Sequence, residues 1–154
     1  MNIILEGCDG TGKTSIARYF CEQCGFLYWH ESCPRTYDEY VQMLSSGQNI
    51  IFDRFCYGQF IYNDPSERKL TEADLMKLQQ EIFPKTHTVV LYVDLGSDKI
   101  ADRLESRKES INGSYDRESL IKAVKNIRGG YTSLFRRTKA NYIKIDGEAL
   151  CYKF

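Results

Sequence analysis

The feature that most limits what this chain can become lies near its start. Asn2 to Glu6 reads as a short buried strand and runs straight into Gly7-Cys8-Asp9-Gly10-Thr11-Gly12-Lys13-Thr14. A helical stretch from about Lys13 to Cys24 follows, and Gly25 stops it. The octet fits G-x-x-x-x-G-K-[ST] without a mismatch and has the strand before and helix after that the motif needs. Glycines let successive backbone N–H groups point into one concavity around an anion. The helix start adds about half a positive charge to it. Lys13 supplies a mobile cation for the outer oxygens of a polyphosphate, and the Thr14 hydroxyl supplies a ligand for a magnesium ion bound with it.

Strand and helix signals alternate along the rest of the chain. Phe26–Trp29, Asn49–Phe52, Thr88–Val93 and Asn141–Ile145 read as further strands. Helices are expected over Tyr37–Leu44, Tyr57–Tyr62, Thr71 to Pro84 and Ser97 to about Arg107. A last helix is expected over Arg117–Arg128, interrupted by Gly129-Gly130 and resuming to Arg137. Thr71 with Asp74 resembles a capping box, and Ser97 is read as the cap of its own helix. This alternation predicts an α/β fold with a five-stranded parallel sheet and helices on both faces. Right-handed crossovers put all strand carboxyl ends on one edge, where ligands bind in open α/β sheets. Glu6, Trp29, Asp53, Asp94 and Ile145 are expected there. One domain, residues 1–154, is the expectation for this length, and Glu109 to Asp116 is polar and reads as mobile.

Magnesium takes oxygen ligands and keeps several waters. Asp53 closes the apolar strand Asn49–Phe52, and Asp94 closes Val89–Val93, so either would join Thr14 in its shell. Asp53 is preferred because Arg54 follows it; a capping carboxylate is the plainer alternative for both. Lys plus Arg balances Asp plus Glu at 21 each, so net charge selects no partner. The basic residues are unevenly placed: Lys122, Lys125, Arg128, Arg136, Arg137, Lys139 and Lys144 lie in a stretch, Ser119–Ile145, that has no acid. A solvated face is the plain reading of it, and contact with a DNA backbone the other.

The longest apolar run, Val89–Val93, is too short to span a bilayer, and no secretory leader precedes the first strand. A cytoplasmic chain without a membrane partner is expected. Its cysteines, Cys8, Cys21, Cys24, Cys33, Cys56 and Cys151, are then read as thiols, mostly core filler. Cys21-x-x-Cys24 has no second pair with which to build a zinc site.

With these motifs the sequence resembles the thymidylate kinase branch of the P-loop nucleoside-monophosphate kinases. Ile4 to Thr14, including Glu6 and Asp9, is similar to that family's first strand and P-loop, and Asp53-Arg54-Phe55 to its Asp-Arg-aromatic motif. Tyr62-Asn63 falls where the family often has Tyr-Gln. Asp94-Leu95 with Asp98, Arg103 and Arg107 resembles the strand end and helix leading to the lid, and Ile145-Asp146-Gly147 the last strand and adenine-side loop. The resemblance spans nearly the whole chain. It implies a P-loop NTPase fold with a short lid at about residues 106–116. It also implies ATP- and magnesium-dependent phosphoryl transfer to a nucleoside monophosphate, a pyrimidine such as dTMP.

The resemblance assigns roles to matching positions. Gly7 to Thr14 would hold ATP, with Lys13 reaching its outer phosphates. Arg54 would grip the acceptor phosphate and the transferred group. Asp53 would order the magnesium shell or an acceptor oxygen, and Asp9 would face the acceptor. Arg103 and Arg107 would close over the donor phosphates. Some members carry an Arg inside the P-loop where this chain has Asp9-Gly10, which leaves the transition-state charge to the lid arginines. On the acceptor side the candidates are Glu31, Arg35, Phe60, Tyr62 and Asn63, with Phe55 and Tyr131 as aromatic neighbours; His30 and His87 receive no role. His30 to Arg35 matches the family's Arg-Glu-Pro segment loosely.

Three departures bear on the acceptor and on size. Asn63 stands for the expected Gln, Gly58-Gln59 stand for small hydroxyl residues, and about eight residues follow the last strand where the family has a further helix. A compact form of the kind associated with phage genomes is the expectation, which would place it in a host cytoplasm. Dimers are usual in the family, so a homodimer is expected beside the small-molecule acceptor. Two other readings stay open. Glu31 as a base would serve a hydroxyl acceptor, either a deoxynucleoside or a modified base within DNA. A non-catalytic nucleotide-binding switch is the second, and the intact Lys13, Thr14, Asp53 and Arg54 argue against it.

Overall fold

A computed structural model describes residues 1–111, 113 and 115–148. Its five strands are β1 (Asn2–Glu6), β2 (Leu27–His30), β3 (Ile50–Asp53), β4 (Thr88–Asp94) and β5 (Ile143–Asp146). They form one parallel sheet in the order β2-β3-β1-β4-β5. Parallel neighbours need crossovers. These are made by α1 (Lys13–Cys24), α2 (Tyr37–Leu44), α3 (Gly58–Ile61), α4 (Glu72–Lys77), α5 (Ser97–Arg107) and α6 (Arg117–Thr138). A 3-10 turn, Pro65–Glu67, follows α3, and α4 continues as a π-helical turn, Leu78–Ile82.

The central strand β1 is buried along its whole length, as a parallel strand covered on both faces must be. Its alternate residues divide the core. Ile3 and Leu5 pack with Ile51 and Val93 under Ile16 and Ala17 of α1. Ile4 faces the other way, into the larger cluster that holds Phe52, Tyr92, Tyr131 and Phe135. The register sets Leu5 opposite Asp53, His30 opposite Asp53 and Asp94 opposite Asp146, so the acidic strand ends emerge along one edge.

Several expectations need correction. Strand β2 runs one residue further than expected and ends on His30, which is thereby brought to the ligand edge. Gly96, not Ser97, is the N-cap of α5; Ser97 is its first residue, and its hydroxyl accepts a hydrogen bond from Arg128 at 3.0 Å. Helix α6 runs unbroken through Gly129 and Gly130. A Cβ at Gly130 would stand 3.3 Å from Ile61 Cδ1, so this glycine serves the close approach of α3 and not a helix break. Of the five cysteines in the described residues, Cys8 and Cys56 are buried and Cys21 packs against the core, while Cys24 and Cys33 are exposed. Cys24 and Cys33 sit at the end of α1 and in a loop, which the core does not reach. The capping box at Thr71 and Asp74 is present. Asn112, Ser114 and Cys151 lie outside the described residues. Among those described, no helix is long and apolar enough to cross a membrane.

Candidate active site

The loop after β1 is shaped by its glycines. Gly7 has φ 141°, and a Cβ there would lie 2.2 Å from the Val93 carbonyl oxygen, so no other residue fits. The Lys13 ammonium folds back over the loop and donates to the carbonyl oxygens of Gly7 (2.8 Å) and Cys8 (2.7 Å). Burial, and then the positive charge of Arg54, lower its pKa. Thr14 Oγ1 donates to Asp53 Oδ2 at 3.3 Å, and the Tyr28 hydroxyl donates to the same oxygen at 3.0 Å. His30 Nδ1 stands 3.8 Å from it.

The structure thus brings Asp53, and not Asp94, to Thr14. Asp94 is taken up elsewhere: Arg128 grips both its oxygens at 2.8 and 3.0 Å, and Lys144 approaches to 2.9 Å. Burial works to raise the Asp94 carboxyl, but these bonds outweigh it and hold the group below the ordinary carboxylate range. An oxygen-only pair, one hydroxyl and one carboxylate at the lip of an anion cradle, suits magnesium, whose remaining ligands are waters and phosphate oxygens. Thr14 and Asp53 would hold it.

Arg54 has a left-handed backbone, φ 65°, and its N–H donates to Leu5 O at 2.9 Å. Its guanidinium bonds the Asp9 carboxylate and lies 4.2 Å from the centre of the Tyr62 ring. Tyr62 in turn donates to Gly7 O at 3.3 Å. Beneath them Glu6 is fully buried; burial pushes its carboxyl up to about 7, against hydrogen bonds from Tyr131 and Phe55 and the charges of Arg54 and Lys13.

Two cavities meet at Arg54. One, of 220 Å³, is lined by Asp9, Lys13, Thr14, Asp53, Arg54 and Arg107 among others. Glu109 and His30 also border it. The second, of 170 Å³, is lined by Glu31, Cys33, Tyr40, Arg54, Tyr62 and Asn63 among others. At its wall Arg35 Nε bonds both oxygens of Glu31, at 3.0 and 3.3 Å. Gln59 fixes the same wall by donating to Arg35 O and to the Tyr40 hydroxyl. Arg103 reaches from α5 and donates to Gly10 O at 2.9 Å, which ties that helix to the phosphate loop.

One expectation about aromatics does not hold. Phe60 faces a separate groove between α3 and α6, with Arg68 over its ring at 5.3 Å. One residue along a helix turns the side chain by about 100°, which separates Phe60 from Gln59. Phe55 is packed in the core on Phe52 and Tyr40 and also borders the second cavity, as an aromatic neighbour of the acceptor side would. The sequence reading missed His30, Tyr28, Tyr40 and Gln59; only His30, next to Glu31 at a strand end, carried a signal. In the basic stretch, Arg128 and Lys144 are paired with Asp94 and Arg137 with Glu72.

Comparison with known structures gives YorR from Bacillus subtilis, solved with phosphorylated GDP. It is 22% identical, with a TM-score of 0.74 over 96% of this chain and 86% of that one. Deoxyadenosine kinase from M. mycoides, bound to dCTP, is 18% identical, with a TM-score of 0.55 over 96% and 91%. Shikimate kinase from Acinetobacter baumannii, bound to shikimate, is 14% identical, with a TM-score of 0.57 over 99% and 89%. At these identities the likeness establishes the fold, that of a P-loop NTPase. No curated protein matches the sequence. The family model of thymidylate kinase matches residues 22–151, a span that begins after the phosphate loop and takes in Asp53, Arg54 and both walls of the second cavity. The chain belongs to the thymidylate kinase family and is a nucleotide kinase.

Proposed function

We propose that the protein moves the terminal phosphoryl group of ATP, with magnesium, to the phosphate of a deoxynucleoside monophosphate, a pyrimidine such as dTMP. The observation that carries this reading is Arg54, the cation common to both cavities. A phosphoryl group passing from one cavity to the other crosses its guanidinium. Such transfer asks for alignment and for positive charge around the equatorial oxygens, and little else of the protein.

In this reading Lys13 exchanges its two carbonyl partners for the outer phosphates of the donor, which Gly7 to Thr14 cradle. Thr14 and Asp53 would hold magnesium, which would supply positive charge to the donor phosphates. Arg103 and Arg107 would cover the donor as residues 106–116 close over it, which also excludes water as a competing acceptor. Asp9, Glu31, Arg35, Tyr62 and Asn63, with Arg54, would hold the acceptor. Asp94 and Phe60 have no part in it.

A hydroxyl acceptor is the second reading, favoured by Glu31, whose carboxylate borders the acceptor cavity. Against it, Arg35 already occupies both Glu31 oxygens. An ATP-consumption screen with magnesium tests the two readings, with deoxynucleoside monophosphates, deoxynucleosides and DNA as acceptors. ADP formed with one monophosphate, and lost in Arg54→Ala far more than in Glu31→Gln, is the expected result. ADP formed only with nucleosides or DNA would move the acceptor to a hydroxyl. ATP binding without turnover on any acceptor would sink the kinase assignment in favour of a switch.

A further inference from the structure

Glu6 lies outside the set of groups that would touch either substrate, yet it is a fully buried acid directly under them. It ends β1, one residue before the phosphate loop. Its two oxygens have separate partners: Oε1 accepts the Phe55 N–H at 2.9 Å, and Oε2 accepts the Tyr131 hydroxyl at 2.7 Å. Phe55 is the residue after Arg54, whose φ of 65° is uncommon for a residue that carries a Cβ. Arg54's own N–H goes to Leu5 O at 2.9 Å. Successive residues of β1 therefore pin the two N–H groups of the Asp-Arg turn, one through backbone and one through a side chain. A buried N–H without an acceptor is costly. With Glu6 removed, the turn would relax toward an ordinary φ and carry the guanidinium away from Asp9 and Tyr62.

We infer that Glu6 is a positioning residue for phosphoryl transfer: held by Tyr131 of α6, it accepts the Phe55 N–H and so fixes the backbone that aims Arg54 at the junction of the two cavities. This rests on the role proposed above for Arg54. The competing account is charge balance, in which Glu6 merely offsets Lys13 and Arg54. The two differ in what glutamine does. An amide keeps an oxygen for Phe55 but carries no charge.

A double-mutant cycle with Arg54→Ala decides between them, with the acceptor identified by the screen and thermal melting recorded for every variant. Glu6→Met is expected to lower kcat roughly ten- to a hundredfold, the effect of losing one buried acceptor. In the Arg54→Ala background the same change should cost less than about threefold, because its effect passes through Arg54. Glu6→Gln should recover most of the loss. Tyr131→Phe removes only a hydroxyl; it should show the same dependence on Arg54, and it carries the test if Glu6→Met does not fold. Losses that persist undiminished without Arg54, or a Glu6→Gln variant as poor as Glu6→Met, would overturn the inference alone. Full turnover by Arg54→Ala would instead overturn the role of Arg54, and Glu6's with it.

Discussion

Replacing Glu6 by glutamine should change how the stability of the protein depends on pH, by an amount set by burial. In the folded chain the Glu6 carboxyl is pushed up to about 7, from an ordinary value of 4.5. The cause is desolvation, which penalises the carboxylate more than its two hydrogen bonds and the charges of Arg54 and Lys13 favour it. Such a group holds its proton more tightly folded than unfolded. Its contribution is full below pH 4.5, declines as pH rises toward 7, and is constant above that. The decline across the window is about 3 kcal/mol. Glutamine cannot ionise and has no such window. Urea unfolding of both proteins at intervals from about pH 4 to 8, followed by circular dichroism, gives each free energy. Subtracting variant from wild type cancels the other carboxylates, including Asp9 and Asp94, whose lowered pKa values tilt stability the other way at more acid pH. The difference should move against the wild type by about 3 kcal/mol between pH 4.5 and 7. A flat difference would refute the reasoning, since Phe55, Tyr131 and the two cations would then solvate the carboxylate as well as water does.

Lys13→Ala should reduce ATP turnover by at least about a hundredfold without lowering the melting temperature, because the buried ammonium serves the ligand and not the core; normal turnover would remove Lys13 from the site. Asp53→Asn should raise the magnesium concentration for half-maximal rate by roughly tenfold or more, as a magnesium titration of turnover would show. An unchanged requirement would place the metal on another carboxylate. Gly147→Ala would put a Cβ 2.4 Å from Thr11 O and 3.2 Å from Asp94 O, both backbone atoms that cannot swing aside. It should lower stability by about 1–3 kcal/mol and weaken nucleotide binding, read by thermal melting and by fluorescence titration; wild-type values in both would mean that the last loop moves freely from the phosphate loop.

The parts of this site that could be read in the sequence are those whose geometry is local. The phosphate loop needs glycines at fixed offsets between a strand and a helix, and Gly7 to Thr14 announce it without help from the rest of the chain. Asp53-Arg54 at a strand end was legible for the same reason. The choice between Asp53 and Asp94 was not, because both close apolar strands. It is decided by tertiary partners: β3 and β4 both flank β1, but Thr14 and Tyr28 of β2 meet Asp53, while Arg128 reaches Asp94 from α6. His30 was missed because the strand boundary was placed one residue early. Gly129-Gly130 reads as a break in the sequence because the close approach of Ile61 to Gly130 is a tertiary fact. The bond from Tyr131 to Glu6 joins residues 125 apart in the chain, and nothing near either one signals it.

Helix α6 touches the ligand edge twice. Arg128 holds Asp94 at the end of β4, and Tyr131, three residues on and on the same helix face, holds Glu6 at the end of β1. Gly130 lies between them against α3. A helix clasped at two strand ends cannot turn about its axis without releasing both. From Arg128 onward it is therefore part of the site's foundation, while its first three turns pack Leu120, Val124 and Ile127 into the core and pair Arg117 with Asp102 and Glu105 of α5. The chain is modular in a way that its sequence does not mark. Residues 117–127 form a unit that can be exchanged for a relative's, provided those three core positions and Arg117 are kept, and a graft that crosses Arg128 rebuilds the ground under the phosphate loop.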